Sequence, residues 1–66
     1  MTIELNGRPH ELPDGATVAD LIESVTGSAR GSAAVVDGEV VPRSSWSETA
    51  LRDGQSVELI TAVQGG

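Results

Sequence analysis

The residues with the clearest chemical potential are the last two, Gly65 and Gly66. At an average glycine usage near 7%, two glycines close a chain by chance in roughly 0.5% of sequences. A composition with 8 glycines makes that several-fold less rare, so placement matters more than count. A glycine pair carries no side chains and forms a narrow peg that can thread a channel any side chain would block. Its one reactive group is the α-carboxylate of Gly66, ionised at neutral pH with a reference pKa of about 3.3–3.7. A carboxylate is a poor acyl donor until it is activated. An ATP-dependent enzyme could convert it to an acyl-adenylate, and a sulfur nucleophile displacing AMP would leave a thiocarboxylate. In that chemistry the terminus is a substrate and the folded domain is its handle.

Other candidates carry less. His10, beside Pro9, has no second histidine and no cysteine with which to build a metal site, and it reads as a half-exposed strand residue. A Ser-His-Asp triad is a spatial arrangement that spacing cannot reveal, but a domain this small has little room for both a triad and a pocket. Asp20 and Glu23 stand three apart on the polar side of a helical pattern, where a solvated face is the better reading. Trp46 is the sole aromatic residue. It could anchor an interface, yet a small core without Phe or Tyr needs it as a lid. Arg43, beside Pro42, is either an exposed contact or a solvated charge. The remaining glycines stand singly at turns, so there is no glycine-rich phosphate loop.

These residues sit in a chain of 66, enough for one small domain. A domain of that size buries only about 60% of the surface its unfolded chain exposes, so the core is marginal. Four arginines, no lysine and 10 acids give a net charge of −6. That balance argues against nucleic acid and anionic membrane as partners and favours a partner with a basic surface. The absence of cysteine excludes a disulfide framework, a thiolate metal site and a catalytic thiol. Met1-Thr2-Ile3-Glu4-Leu5-Asn6 has no apolar core of a secretory signal. The longest apolar run, Ala33-Ala34-Val35-Val36, is far short of a membrane span. A cytoplasmic, soluble protein, monomeric when free, is the expectation.

Turn residues divide the chain into short elements. Thr2–Asn6 alternates with Ile3 and Leu5 on one face, a half-buried strand. Asn6-Gly7 marks a type I′ hairpin turn, and His10-Glu11-Leu12 is the expected return strand, stopped by Pro13-Asp14-Gly15. Thr17 then serves as an N-cap with Asp20 three residues on, as in a capping box. Val18, Leu21, Ile22 and Val25 form one helical stripe, and Gly27 is the expected C′ residue. After a loop over 27–32, Ala33–Val36 and Glu39–Val41 flank the turn pair Asp37-Gly38. Pro42 ends that hairpin. Ser44–Leu51 reads as a connector with one helical turn around Trp46, and Asp53-Gly54 as a third turn.

The last strand, Gln55–Val63, is the longest. It puts Val57, Leu59, Thr61 and Val63 on one face and Glu58, Ile60 and Ala62 on the other. A long final strand without a hairpin partner is expected to pair with the first strand in the middle of the sheet. The result is an α+β fold, a mixed sheet of four to five strands covered on one face by a single helix, which is the β-grasp or ubiquitin-like topology. Residues 1–63 form this domain and 64–66 a flexible tail. Ile60 and Ala62 face water on the uncovered side and lead to the tail, so with Gln64 they are the candidate docking residues.

Several blocks then carry a recognisable pattern. They are Ile3-Glu4-Leu5-Asn6-Gly7; Asp14-Gly15 with Thr17-Val18 and Leu21; Val35-Val36-Asp37-Gly38-Glu39-Val40-Val41-Pro42-Arg43 followed by Trp46; Asp53-Gly54 with Val57-Glu58-Leu59; and Gly65-Gly66. Over its whole length the chain resembles the ThiS family, the sulfur carrier proteins of thiamine (thiazole) biosynthesis. The resemblance implies that Gly66 is adenylated by a ubiquitin-activating-type adenylyltransferase using ATP and magnesium. Conversion to a thiocarboxylate and delivery of sulfur to thiazole synthase would follow. The chain itself would bind no cofactor and would be a co-substrate, not an enzyme. Gln64 stands where many members have glycine or alanine, and Asp37 where asparagine is common. Neither touches the reacting carboxylate.

Other readings remain open at this stage. The small subunit of molybdopterin synthase and the sulfur carrier of cysteine synthesis would share fold, tail and activation, though the Val41-Pro42-Arg43 and Trp46 block fits them less well. A ubiquitin-like regulatory or binding module would need no free carboxylate. A modifier that builds chains on itself needs lysine acceptors, and this sequence has none.

Overall fold

The computed structural model describes residues 1–26 and 32–61. Strands β1 (Thr2–Leu5) and β2 (Arg8–Glu11) form the first hairpin, followed by helix α1 (Val18–Thr26). Strands β3 (Ser32–Val36) and β4 (Glu39–Val41) form the second hairpin, a 3₁₀ helix spans Arg43–Glu48, and β5 (Ser56–Thr61) completes the fold. The five strands lie in the order β2-β1-β5-β3-β4. β5 runs parallel to β1 and antiparallel to β3, so the sheet is mixed and its last strand is central. This is the α+β, β-grasp arrangement that the alternation pattern predicts.

Both hairpins turn on two residues with positive φ, Asn6 (51°) with Gly7 (83°) and Asp37 (49°) with Gly38 (85°). Those values define type I′ turns, whose twist matches that of the flanking strands. The return strand begins earlier than the expected His10–Leu12, taking in Arg8 and Pro9 and ending at Glu11. A proline fits there because β2 is an edge strand whose outer side needs no amide. Leu12 leaves the strand, but it is buried and donates its N–H to the Met1 carbonyl at 2.9 Å.

The capping box forms as the sequence implies. Asp20 N–H donates to Thr17 Oγ1 at 3.2 Å, and Thr17 N–H donates to the Asp20 carboxylate at 3.0 Å. Two orphan amides at the start of the helix are thereby satisfied. Val18, Leu21 and Ile22 are fully buried, each worth about 1.5–3 kcal/mol of apolar burial. Val25 departs from the expected stripe and is 46% exposed. It lies in the last turn of α1, past the residues that meet the core. Gly27 and the loop after it lie outside the described residues.

The core joins that helical face to Ile3, Ala34, Val36 and Val57 from the sheet, with Leu12, Ala16, Leu51 and Trp46 closing its margins. The connector is longer than one turn: it is a six-residue 3₁₀ helix packed against α1. Trp46 is buried in it, and its indole Nε1–H donates to the Val41 carbonyl at 2.8 Å. A buried indole needs such a partner. Short pairings stitch the connector to the start of α1, with Val18 N–H on the Thr49 carbonyl (3.0 Å) and Leu51 N–H on the Ala16 carbonyl (2.9 Å).

Candidate functional site

The sequence directs attention to the end of β5, and the fold anchors that strand from both sides. Val57 is fully buried and Leu59 half-buried on the helix-covered face. Glu58 and Ile60 alternate onto the other face, where Ile60 is 57% exposed. The predicted division of faces therefore holds for residues 57–60. The strand is described to Thr61, and Ala62, Val63, Gln64, Gly65 and Gly66 lie outside the described residues.

Ile60 has company that alternation did not disclose. Register places Ala33 opposite Ile60, and Val35 between Glu58 on one side and Val40 on the other. Ala33 is exposed, Val35 half-buried and Val40 71% exposed. A discontinuous apolar patch thus crosses three strands of the open face, interrupted by Glu58. The run Ala33-Ala34-Val35-Val36 hides it, because an all-apolar stretch has no period from which to assign faces.

Two turn side chains reach β5 from its flanks. Asn6 Oδ1 accepts the Leu59 N–H at 2.9 Å, and Asn6 Nδ2 donates to the Leu59 carbonyl at 3.4 Å. Asp37 accepts the Ser56 N–H at 3.0 Å on one carboxylate oxygen and the Gln55 Nε2–H at 3.0 Å on the other. These bonds hold the Asp37 carboxyl below its ordinary value: the Ser56 amide contributes most, then the Gln55 side chain, and lastly the Arg52 charge. Sequence reasoning placed both residues in turns but missed this second role.

Among the described residues, no three His, Cys, Asp or Glu side chains cluster to hold a metal ion. His10 is half-buried on the edge strand β2. An open groove of about 770 Å³ runs between β4 and residues 49–55, lined in part by Asp37, Val40, Ser45 and Arg52. It lies at the start of β5, at the opposite end from the strand's exit. No helix among the described residues is long and apolar enough to cross a membrane.

Comparison with known proteins places the chain in a family. The profile of the ThiS family matches residues 3–66, nearly the whole chain and both final glycines. The chain belongs to the ThiS family. It is 29% identical over 66 residues to the sulfur carrier protein ThiS of Escherichia coli, covering all of both chains. It is also 29% identical over 66 residues to a thiazole synthase of Paramagnetospirillum magneticum, covering all of this chain and 20% of that one. The crystal structure of the thiamine biosynthesis protein ThiS from Geobacter metallireducens superposes with a TM-score of 0.83 at 26% identity, with all of both chains covered. A ThiS-family chain is a carrier and not itself a catalyst, in keeping with the E. coli relative's name.

Proposed function

We propose that this protein carries sulfur for thiazole formation in thiamine biosynthesis, in the cytoplasm, and that the carboxylate of Gly66 is its reacting group. The observation that carries the reading is the family match, which runs through Gly65 and Gly66 to the final residue. A carboxylate oxygen of Gly66 attacks the α-phosphorus of ATP on a ubiquitin-activating-type adenylyltransferase that supplies the magnesium. Pyrophosphate leaves, and the mixed anhydride formed is a competent acyl donor. A sulfur nucleophile then displaces AMP, and the thiocarboxylate that results delivers its sulfur to thiazole synthase. Similarity to a thiazole synthase over the full length of this chain favours that acceptor over the molybdopterin and cysteine routes.

The fold supports the division of labour. β5 gives the terminus a rigid base, Gly65 and Gly66 pass into the partner's channel, and Ile60, Ala62 and Gln64 contribute to docking. The exposed Ile60 is positioned for this beside Ala33. Intact-mass spectrometry after incubation with the activating enzyme, ATP and a sulfur source tests the proposal. The expected product has one carboxylate oxygen replaced by sulfur, localised to Gly66. Unmodified protein, under conditions that charge an authentic carrier, would refute it and leave a binding module.

A further inference from the structure

Among the described residues, Asn6 and Asp37 are the only non-glycine residues with positive φ. Both residue types suit a type I′ turn, and here each side chain does something further. Both contribute bonds to the backbone of β5, Asp37 where the strand starts and Asn6 close to its last described residue.

The geometry at Asn6 is that of a ladder continued by a side chain. β1 pairs with β5 through Glu4–Ser56 and Leu5–Val57, and the Asn6 N–H donates to the Val57 carbonyl at 2.9 Å. There the main chain turns away into Gly7. The next β5 groups on that side are the N–H and C=O of Leu59. A carboxamide is a peptide group in miniature, with one acceptor and one donor face. Asn6 offers Oδ1 to the Leu59 N–H and Nδ2 to the Leu59 carbonyl, as a further residue of β1 would. Residues 6 and 59 are thereby tied across 53 positions of sequence. Without the carboxamide, β5 would be paired only with β3 from Leu59 onward, where Ala34 lies opposite Leu59 and Ser32 opposite Thr61.

We propose that Asn6 is a positioning residue for the reacting terminus: its carboxamide extends the β1 ladder to Leu59 and so fixes the part of β5 from which the terminus continues. The proposal rests on the reading of Gly66 as the group that reacts. A strand held on both sides up to Leu59 arrives at the activating enzyme already ordered. A strand held on one side must be ordered on binding, and that cost appears in the affinity, not in the chemical step.

Asn6→Gly is the informative variant, because glycine keeps the type I′ turn and removes only the carboxamide. Asn6→Asp keeps an acceptor for the Leu59 N–H but sets a carboxylate against the Leu59 carbonyl. Hydrogen exchange at the Leu59 amide and steady-state kinetics of Gly66 adenylation should be measured at a temperature where every variant is folded. In Asn6→Gly, Leu59 exchange is expected to quicken about fivefold, the factor given by one ordinary hydrogen bond. KM for the carrier should rise by a similar factor, about fivefold, with kcat within about twofold of wild type. Asn6→Asp should fall between the two proteins in both readouts.

A purely structural role would lower the melting temperature and leave KM unmoved; that result overturns the proposal. Unchanged Leu59 exchange overturns it too, as does a loss confined to kcat. Wild-type protein that is never adenylated overturns the assignment of Gly66 itself and takes this proposal with it. Wild-type turnover with an unaltered KM in Asn6→Gly refutes the proposal alone.

Discussion

Truncation of Trp46 is the sharpest test of how this domain holds itself together. Its side chain is 4% exposed, and its indole N–H is bonded to the Val41 carbonyl. At about 0.05–0.15 kcal/mol per residue, a chain of this length is stable by roughly 3–10 kcal/mol in total. Trp46→Ala removes a large buried aromatic at a cost of about 3–5 kcal/mol, comparable to the lower half of that range. Trp46→Phe keeps a ring but loses the indole hydrogen bond, about 1 kcal/mol, and part of the ring's burial, about another. At about 4–8 °C per kcal/mol for so small a domain, the phenylalanine variant should melt about 8–16 °C lower. Far-UV circular dichroism is the appropriate probe, since Trp46 is the only tryptophan and fluorescence vanishes with it. On the same scale the alanine variant should melt at least about 12 °C lower; the phenylalanine variant should fold and still be adenylated below its melting point. An alanine variant that melts within a few degrees of wild type would refute the role of Trp46 as the lid that closes the core, and would return it to consideration as an interface anchor.

Three further outcomes are expected. Deleting Gly66 should abolish adenylation while leaving thermal unfolding unchanged, because among the described residues the buried cluster draws its last member from Val57; a marked fall in melting temperature would count against a terminus that serves only chemistry. Ile60→Asp should weaken the complex with the activating enzyme about tenfold or more, measured by titration calorimetry, with an unaltered circular dichroism spectrum; a 57% exposed side chain can be replaced without disturbing the core. Asp37 has a folded-state pKa below its ordinary value of 3.8, so the stability it contributes is present above that value and lost as pH falls through the folded one. Asp37→Asn should therefore flatten the acid limb of a stability-versus-pH curve below about pH 4, and an unchanged limb would remove Asp37 from the linkage.

Much of this fold was legible because the sequence marks its turns and its helix start with residues that have few alternatives. Asn6-Gly7 and Asp37-Gly38 permit the positive φ of type I′ turns, and Thr17 with Asp20 announces the helix. Alternation from Val57 to Ile60 assigned the faces of β5. The misplacements have equally local causes. Pro9 reads as a breaker until one knows that β2 is an edge, a property of sheet order and not of the dipeptide. Val25 continues the stripe by periodicity, but periodicity does not say where the covering core ends. At the candidate site, Ile60 was legible from its own strand. Its neighbours Ala33, Val35 and Val40 were not, since cross-strand register is set by pairings far apart in sequence.

The position of β5 explains how so small a domain can present its own end. The last strand lies between β1 and β3, not at an edge, so its base is hydrogen-bonded on both sides. Such an arrangement is slow to assemble, because the β1–β5 pairing closes a loop of some fifty residues before it is rewarded. An edge strand would form more readily but would leave one flank free to pair with other chains. Central placement removes that hazard for β5, and the two turn side chains complete it at either end. The absence of lysine suits the proposed chemistry, since an acyl group activated at Gly66 would meet no lysine amine elsewhere in this sequence or in a second copy of it.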